Sequence, residues 1–149
     1  MDGVYSLADV NEADEARGFV LVNFYDSRVK HEDWRSFLAA DEASDPPGRE
    51  TVFVQDRRGY IHAVLSIWAD RDLVHGRVLR ALTIACDETP GKLLHETIIT
   101  ATEARARALG CVGVLIEIAA DAGDVFAASA RGAGFAQISA SFYRALPRV

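Results

Sequence analysis

The chain has 149 residues, of which 50% are hydrophobic and 26% are charged, and this balance excludes a chain that is disordered throughout. A chain of this length forms one domain with a core of its own, so we predict a single domain over residues 1–149. The net charge of −6 argues against a nucleic-acid-binding surface, which needs a basic stripe, and is compatible with a cationic amine as substrate.

The first elements are predicted from capping residues and apolar runs. Val4–Ala8 is typical of a short strand, and Asp9 or Asn11 then caps a helix that begins at Glu12. The run Phe19–Tyr25 is β-branched and aromatic, so its propensity alone is also consistent with a strand. We favour the helix, with this run on its buried face, and keep the strand as the alternative.

A second helix is predicted over His31–Ala43. Its Trp34, Phe37 and Leu38 follow the i, i+3, i+4 spacing of one apolar stripe. The segment Ser44–Gly48, in which two prolines precede a glycine, ends this helix. Because the break is short, we interpret it as a loop and not as a domain boundary.

Three strands joined by short turns are predicted next, at Thr51–Gln55, Tyr60–Trp68 and Arg77–Cys86. Such short connections make neighbouring strands antiparallel. The middle strand alternates, and four apolar residues are predicted to share one of its faces: Ile61, Ala63, Leu65 and Ile67.

The pattern then changes to strand, helix, strand. A break at Asp87–Gly91 precedes a helix predicted over Lys92–Leu109, which Gly110 terminates. Cys111–Ala120 is an almost unbroken apolar run, as expected of a parallel strand covered on both faces. Residues 77–120 therefore predict a β-α-β unit with a right-handed crossover.

The last predicted elements are a short helix at Asp124–Arg131 and a strand at Phe135–Tyr143, with Gly132 and Gly134 between them. Alternation in this strand directs three residues to the core: Ile138, Ala140 and Phe142. The order of all the elements predicts an α/β fold.

Cysteine usage and the N-terminus predict a cytoplasmic protein. Cys86 and Cys111 both lie in apolar runs, and no CxxC pair or disulfide framework is present. The acidic N-terminal stretch lacks the apolar core of a signal peptide, and no apolar run approaches the roughly 20 residues that span a bilayer. We therefore expect no membrane association.

The order of the elements and two local sequences resemble the GNAT superfamily of N-acetyltransferases. Glu103–Cys111 (EARARALGC) is similar to the end of that family's long central helix, and Gly132–Phe135 (GAGF) to the entry into its last hairpin. The resemblance covers roughly residues 50–145. It implies a mixed central sheet with antiparallel N-terminal strands, a parallel β-α-β pair and helices on both faces.

The resemblance also implies acetyl-CoA as co-substrate. The backbone of Ile84–Cys86, with Ile84 and Cys86 at its ends, would hold the pantetheine through strand-like hydrogen bonds. Gly91, Lys92 and Leu93 would hold the pyrophosphate, because a helix N-terminus offers unpaired N–H groups and a positive dipole end to an anion.

The loop before this helix departs from the family's Gln/Arg-x-x-Gly-x-Gly/Ala motif. Glu88 stands where Gln or Arg is expected, and Leu93 where a small residue is expected. The alternative interpretation is an ordinary helix start, with Asp87 or Thr89 as cap and Pro90 at the first helical position.

Two residues are candidates for proton transfer. Alignment on Gly134–Phe135 puts Ala130 where many GNAT members have a catalytic tyrosine, and leaves the Ser129 hydroxyl beside it as a candidate acid or as a surface serine. Glu117 is the only charge in the last apolar run, and it is either a general base with a raised pKa or a half-exposed residue at a strand edge.

The four histidines lack ligand spacing, which argues against a metal site; His62 is interpreted as a hydrogen-bonded structural residue. The resemblance implies an acyl-CoA-dependent N-acetyltransferase that acts on the amine of a small molecule or peptide. A second hypothesis is a GNAT-fold protein that has lost catalysis and serves as a binding or regulatory module, through a homodimer. In a third, the resemblance is architectural only.

Overall fold

The computed structural model describes residues 4–44, 46–87, 91–118 and 123–148. This part of the chain contains five strands and four helices, in the order β1 (Tyr5–Asp9), α1 (Glu12–Tyr25), α2 (His31–Glu42), β2 (Glu50–Asp56), β3 (Ile61–Asp72), β4 (Gly76–Cys86), α3 (Leu93–Ala108), β5 (Gly113–Glu117) and α4 (Gly123–Gly132).

The strands form one mixed sheet in the order β1-β2-β3-β4-β5. The first four strands are antiparallel, because each follows its neighbour through a short connection or an α-helical hairpin. β4 and β5 are parallel and are joined through α3, so the predicted β-α-β unit and the mixed α/β sheet are confirmed.

Helices cover both faces of the sheet, as predicted. On one face, Leu94 and Ile98 of α3 and Phe126 of α4 pack on the strands. On the other, Val22 of α1 and Trp34 of α2 are buried against them. β3 contributes to both clusters because its successive side chains point to opposite faces.

The helix predicted over the β-branched run of α1 is confirmed. Asn11 is its cap, and the Asn11 Oδ1 accepts a hydrogen bond of 3.1 Å from the Asp14 N–H. The Trp34 Nε1–H donates to the Glu15 carbonyl at 3.0 Å and ties α2 to α1. The cap and the buried face against the sheet therefore outweigh the strand propensity of this run.

A β-bulge at the start of β3 changes one predicted orientation. Val54 pairs with Ala63 and Gln55 with Ile61, so His62 is an extra residue in β3. Ile61 consequently joins the cluster under α1 and α2, whereas Ala63 faces α3. The prediction that Ile61 shares a face with Ala63 is wrong, because one extra residue reverses the alternation.

The strand predicted at Phe135–Tyr143 is wrong. Residues 135–148 lie outside any helix or strand, and Ile138, Ala140 and Phe142, which were predicted to face the core, are exposed. An alternating pattern describes a strand only where another strand pairs with its backbone, and no described strand lies beside this segment.

Two other predictions fall partly outside the described residues. β5 ends at Glu117 within the described part, and the predicted end of this strand at Ala120 lies beyond it. Thr89, one of the two predicted caps of α3, Pro90, predicted at the first helical position, and the motif residue Glu88 also lie outside the described residues.

Candidate functional site: the end of β4 and the start of α3

The central feature of the site is the point where the described pairing of β4 with β5 ends. Their pairing runs from Val78 with Gly113 to Leu82 with Glu117. β4 then continues to Cys86 and stays paired with β3 on its other side. The edge Thr83–Cys86 therefore has no partner strand among the described residues on the β5 side, over about 13 Å at roughly 3.3 Å per residue.

A second β-bulge lies within this edge. Val64 pairs with Ala85 and Leu65 with Thr83, which leaves Ile84 as an extra residue of β4. Ile84 and Ala85 both pack towards α1 and α2, as two residues of a bulge do. The bulge re-aims the backbone N–H and C=O groups at the edge, and these groups can bind an extended ligand.

Thr83, at the start of the edge, carries a buried hydroxyl without a partner. The residue is 8% exposed, and its Oγ1 makes no hydrogen bond with any described residue. The Ser66 Oγ on β3 is also buried and makes no hydrogen bond with any described residue. Leaving such a group unsatisfied costs roughly 1–3 kcal/mol, so the Thr83 hydroxyl is suited to contact a ligand polar group.

α3 begins at Leu93, a few residues after β4 ends at Cys86. Gly91 has φ +87°, and an added Cβ there would meet no atom within 4 Å. Lys92 precedes the helix, and no described side chain caps its first N–H groups. The predicted co-substrate-binding residues therefore lie on both sides of the β4–α3 connection. Ile84 and Cys86 are at the end of β4, and Gly91, Lys92 and Leu93 are at the start of α3.

His62 is hydrogen-bonded through both ring nitrogens and holds the end of β4 in place. Its Nε2 lies 3.0 Å from Asp56 Oδ2 and its Nδ1 lies 3.2 Å from Asp87 Oδ2. The Asp87 N–H also donates to the His62 carbonyl at 2.7 Å. The hydrogen bond from His62 lowers the pKa of Asp56. His62 is therefore hydrogen-bonded as predicted, and it positions the residue that leads into the loop.

Glu117 is the last residue of β5, opposite Leu82, where the described pairing with β4 ends. Its Oε1 is 3.3 Å from Arg80 Nη1, and Arg80 Nε donates to Asp70 at 2.6 Å. The hydrogen bond with Arg80 lowers the pKa of Asp70, and the same bond raises the pKa of Arg80. Arg80 therefore links the Glu117 carboxylate to Asp70 at this end of β5.

Ser129 is buried and not a surface serine, since it is 8% exposed. Its Oγ lies 3.5 Å from His95 Nδ1 and donates to the Val125 carbonyl at 3.2 Å. Burial lowers the pKa of His95, which also packs against the Phe126 ring at 4.6 Å between centroids. Sequence reasoning missed His95, because only the packing of α4 on α3 brings it to Ser129.

His95 and Ser129 are close to the start of α3 and to the cluster that contains the end of β4. His95 is in the first turn of α3, directly after Gly91–Leu93. Phe126 and Ala130 of α4 belong to the same apolar cluster as Cys86 of β4. Burial, together with the nearby Asp87 charge, raises the pKa of Cys86 to about 11, so this cysteine is a neutral thiol near pH 7.

The described residues were searched for metal-binding clusters and for membrane-spanning helices. No cluster of three or more His, Cys, Asp or Glu residues in the described ranges could hold a metal ion. Among the described helices, none is both long enough and apolar enough to cross a bilayer.

Solved structures share the whole architecture. An aminoglycoside N-acetyltransferase in complex with CoA matches with a TM-score of 0.72 at 12% identity, over 97% of each chain. Glucosamine-6-phosphate N-acetyltransferase from Arabidopsis thaliana matches with a TM-score of 0.65 at 15% identity, over 96% of this chain and 99% of that one. A GNAT family acetyltransferase from Staphylococcus aureus matches with a TM-score of 0.68 at 13% identity, over 96% and 99%.

The chain has the GNAT fold. No protein-family model matches the sequence, and no curated protein does so significantly. At 12–15% identity the likeness to GNAT structures concerns the arrangement of the backbone and not the side chains of the site. The chemistry must therefore be argued from this chain's own residues.

Proposed function

We propose that the chain is an acyl-CoA-dependent N-acetyltransferase that transfers an acetyl group from acetyl-CoA to the amine of a small molecule or peptide. The proposal depends on the bulged edge Thr83–Cys86, which has no partner strand on the β5 side among the described residues, and on the nearby N-terminus of α3, which no described side chain caps. An extended pantetheine with two amides needs such an edge, and a pyrophosphate needs such a helix end.

The co-substrate would bind as a further strand. Backbone groups of Ile84–Cys86 pair with the pantetheine amides, and an N–H group freed by the bulge polarises the thioester oxygen. The N–H groups after Gly91 and the Lys92 ammonium bind the pyrophosphate. The Thr83 hydroxyl, which lacks a partner among the described residues, donates to a polar atom of the bound arm.

Transfer would be direct. The neutral amine attacks the thioester carbon, a C–N bond forms, and the C–S bond breaks. Glu117, whose Oε1 pairs with Arg80, accepts the proton that the amine loses at its other carboxylate oxygen. The Ser129 hydroxyl supplies a proton to the departing thiolate and recovers one from water, and the neutral His95, whose Nδ1 lies 3.5 Å from the Ser129 Oγ, orients this hydroxyl. A covalent intermediate on Cys86 is disfavoured because its raised pKa leaves little thiolate at neutral pH.

Two observations bear on the class of the acceptor. The names of two structural neighbours specify an aminoglycoside and glucosamine-6-phosphate, which are small molecules with amines. The net charge of −6 attracts a cationic amine. We therefore propose a small-molecule amine as the first class to test, with peptide amines as the second.

Calorimetric titration with acetyl-CoA and CoA, followed by a thiol-release assay over an amine panel, tests the proposal. The chain has two lysines, which provide a matched pair of variants. Lys92→Ala should weaken CoA binding about fivefold, since a unit charge pair about 4 Å apart in water is worth about 1 kcal/mol. Lys30→Ala removes the same charge at the start of α2 and should leave the affinity unchanged.

The outcomes separate the hypotheses. No binding of either acetyl-CoA or CoA would reject the proposed function altogether. Binding without thiol release from any amine would instead support the module that has lost catalysis. Equal losses of affinity in Lys92→Ala and Lys30→Ala would mean that the pyrophosphate does not lie at α3.

A further inference from the structure

The His62 ring lies between two carboxylates, one at each of its nitrogens. Its Nε2 is 3.0 Å from Asp56 Oδ2, at the end of β2, and its Nδ1 is 3.2 Å from Asp87 Oδ2, directly after β4. A neutral imidazole has one N–H and can donate one hydrogen bond, whereas an imidazolium has two N–H groups. Since ionised carboxylates only accept, both contacts are hydrogen bonds only while the His62 ring is protonated.

The titratable and charged side chains around this ring come from β1, β2, the β2–β3 turn and the end of β4: Tyr5, Asp56, Arg57, Arg58, Cys86 and Asp87. Tyr5 contacts the ring in a T-shaped arrangement, with centroids 5.1 Å apart. The Cys86 thiol stays neutral because burial raises its pKa to about 11. Histidine is the residue type in this group that ordinarily changes charge between about pH 5 and pH 8.

The proton on His62 therefore sets the charge of the group. Two carboxylates and one imidazolium have a net charge of −1, and loss of the ring proton leaves −2. The Asp87 N–H also donates to the His62 carbonyl at 2.7 Å, and this backbone contact does not depend on the ring proton. Deprotonation of the ring thus exposes the Asp87 charge while the backbone at Asp87 stays attached to β3.

Asp87 stands at the entrance to the proposed pyrophosphate site. Gly91 follows it by four positions, so the chain between them spans at most about 14 Å. At about 10 Å in water, one unit charge changes the affinity for one phosphate charge about twofold. A pyrophosphate with two charges should therefore feel an effect of about fourfold, which salt screening reduces towards twofold.

We propose that His62 is a positioning residue for the co-substrate, which in its protonated form neutralises the Asp87 carboxylate and thereby couples CoA binding to protonation of the chain. The inference rests on the proposed function, because it places the CoA pyrophosphate at Gly91 and Lys92. The coupling is reciprocal. If the protonated chain binds CoA more tightly, CoA must in turn cause His62 to take up a proton from the solvent.

Calorimetric titration with CoA at about pH 6 and about pH 8 measures the coupling, and His75 provides a matched control. His75 Nδ1 is 2.7 Å from Asp72 Oδ2, in the β3–β4 turn at the opposite end of β3 from His62. At about pH 6, the intact chain and His75→Gln should bind CoA about two- to fourfold more tightly than His62→Gln. All three should bind alike at about pH 8, and the titration of the CoA 3′-phosphate is common to all of them.

Proton uptake gives a second measurement that a purely structural role of His62 would not change. Titrations at neutral pH in two buffers of different ionisation enthalpy report the protons bound with CoA. The intact chain and His75→Gln should take up a larger fraction of a proton than His62→Gln. Asp87→Asn should bind CoA more tightly than the intact chain, because it removes a negative charge, whereas the loss of a supporting contact alone would weaken binding. Thermal unfolding shows that each variant is folded.

The outcomes separate this inference from the proposed function. An intact chain that binds no CoA at either pH would reject the proposed function and this inference with it. CoA binding with the same pH dependence and proton uptake in His62→Gln as in the intact chain would overturn the inference alone. Weaker binding by folded Asp87→Asn would also overturn it, and this variant keeps the test decisive if His62→Gln does not fold.

Discussion

Gly18→Ala tests the packing of α1 over the sheet. A Cβ at Gly18 would lie 2.3 Å from Phe53 Cζ and 3.2 Å from Trp34 Cζ2. Both rings are buried and stacked, with centroids 6.5 Å apart. Phe53 therefore cannot move away without displacing Trp34, whose indole N–H is bonded to Glu15.

The magnitude follows from two opposing effects. Alanine gains about 1 kcal/mol over glycine within a helix. Overpacking of a buried site costs about 1–3 kcal/mol, and a 2.3 Å contact with a confined ring belongs at the upper end of that range. We expect Gly18→Ala to lower the free energy of unfolding by about 1–2 kcal/mol. The midpoint temperature should fall by about 2–8 °C for a chain of this size.

Urea and thermal unfolding followed by circular dichroism measure the effect. Gly132→Ala is the control, because Gly132 is the last residue of α4 and an added Cβ there meets no atom within 4 Å. Phe53→Leu should cost less in the Gly18→Ala background than in the original chain, since it relieves the contact. If Gly18→Ala is as stable as the original chain, or more stable, the close packing described for α1 is incorrect.

Three further predictions concern the site. Thr83→Val removes a hydroxyl with no described partner, so it should raise the free energy of unfolding by about 1 kcal/mol and weaken acetyl-CoA binding in titrations; Ser66→Ala, on β3, should share only the first effect. Cys86 has its pKa raised from 9.0 to about 11, so the folded state keeps this proton longer than the unfolded state. Stability in urea should therefore fall between pH 9 and pH 11, and Cys86→Ala should flatten that slope. His95→Ala and Ser129→Ala should each lower kcat by about 10²-fold with little change in the KM for acetyl-CoA, and the double variant should be no slower. Additive losses in the steady-state rates would show that the two side chains do not act together.

Most of the secondary structure could be predicted because its signals are local. Asn11 caps α1, Gly110 terminates α3, and Gly132 ends α4 with Gly134 just after it; each of these depends only on near neighbours in sequence. The apolar run before Glu117 likewise indicated a parallel strand. The failure at Phe135–Tyr143 has the opposite cause, because a strand needs a partner that its own sequence cannot supply.

The sequence by itself determined the order of helices and strands as far as α4, the parallel β-α-β pair and the approximate extent of each helix, since these follow from capping, periodicity and turn chemistry. Only the tertiary structure decided where the sheet carries extra residues, at His62 and Ile84, because a bulge is a relation between two strands. It also brought His95 to Ser129 by packing α4 on α3, and among the described residues it left β4 without a partner on the β5 side after Leu82. The candidate site consists of these non-local relations, so its geometry could not be predicted from neighbouring residues alone.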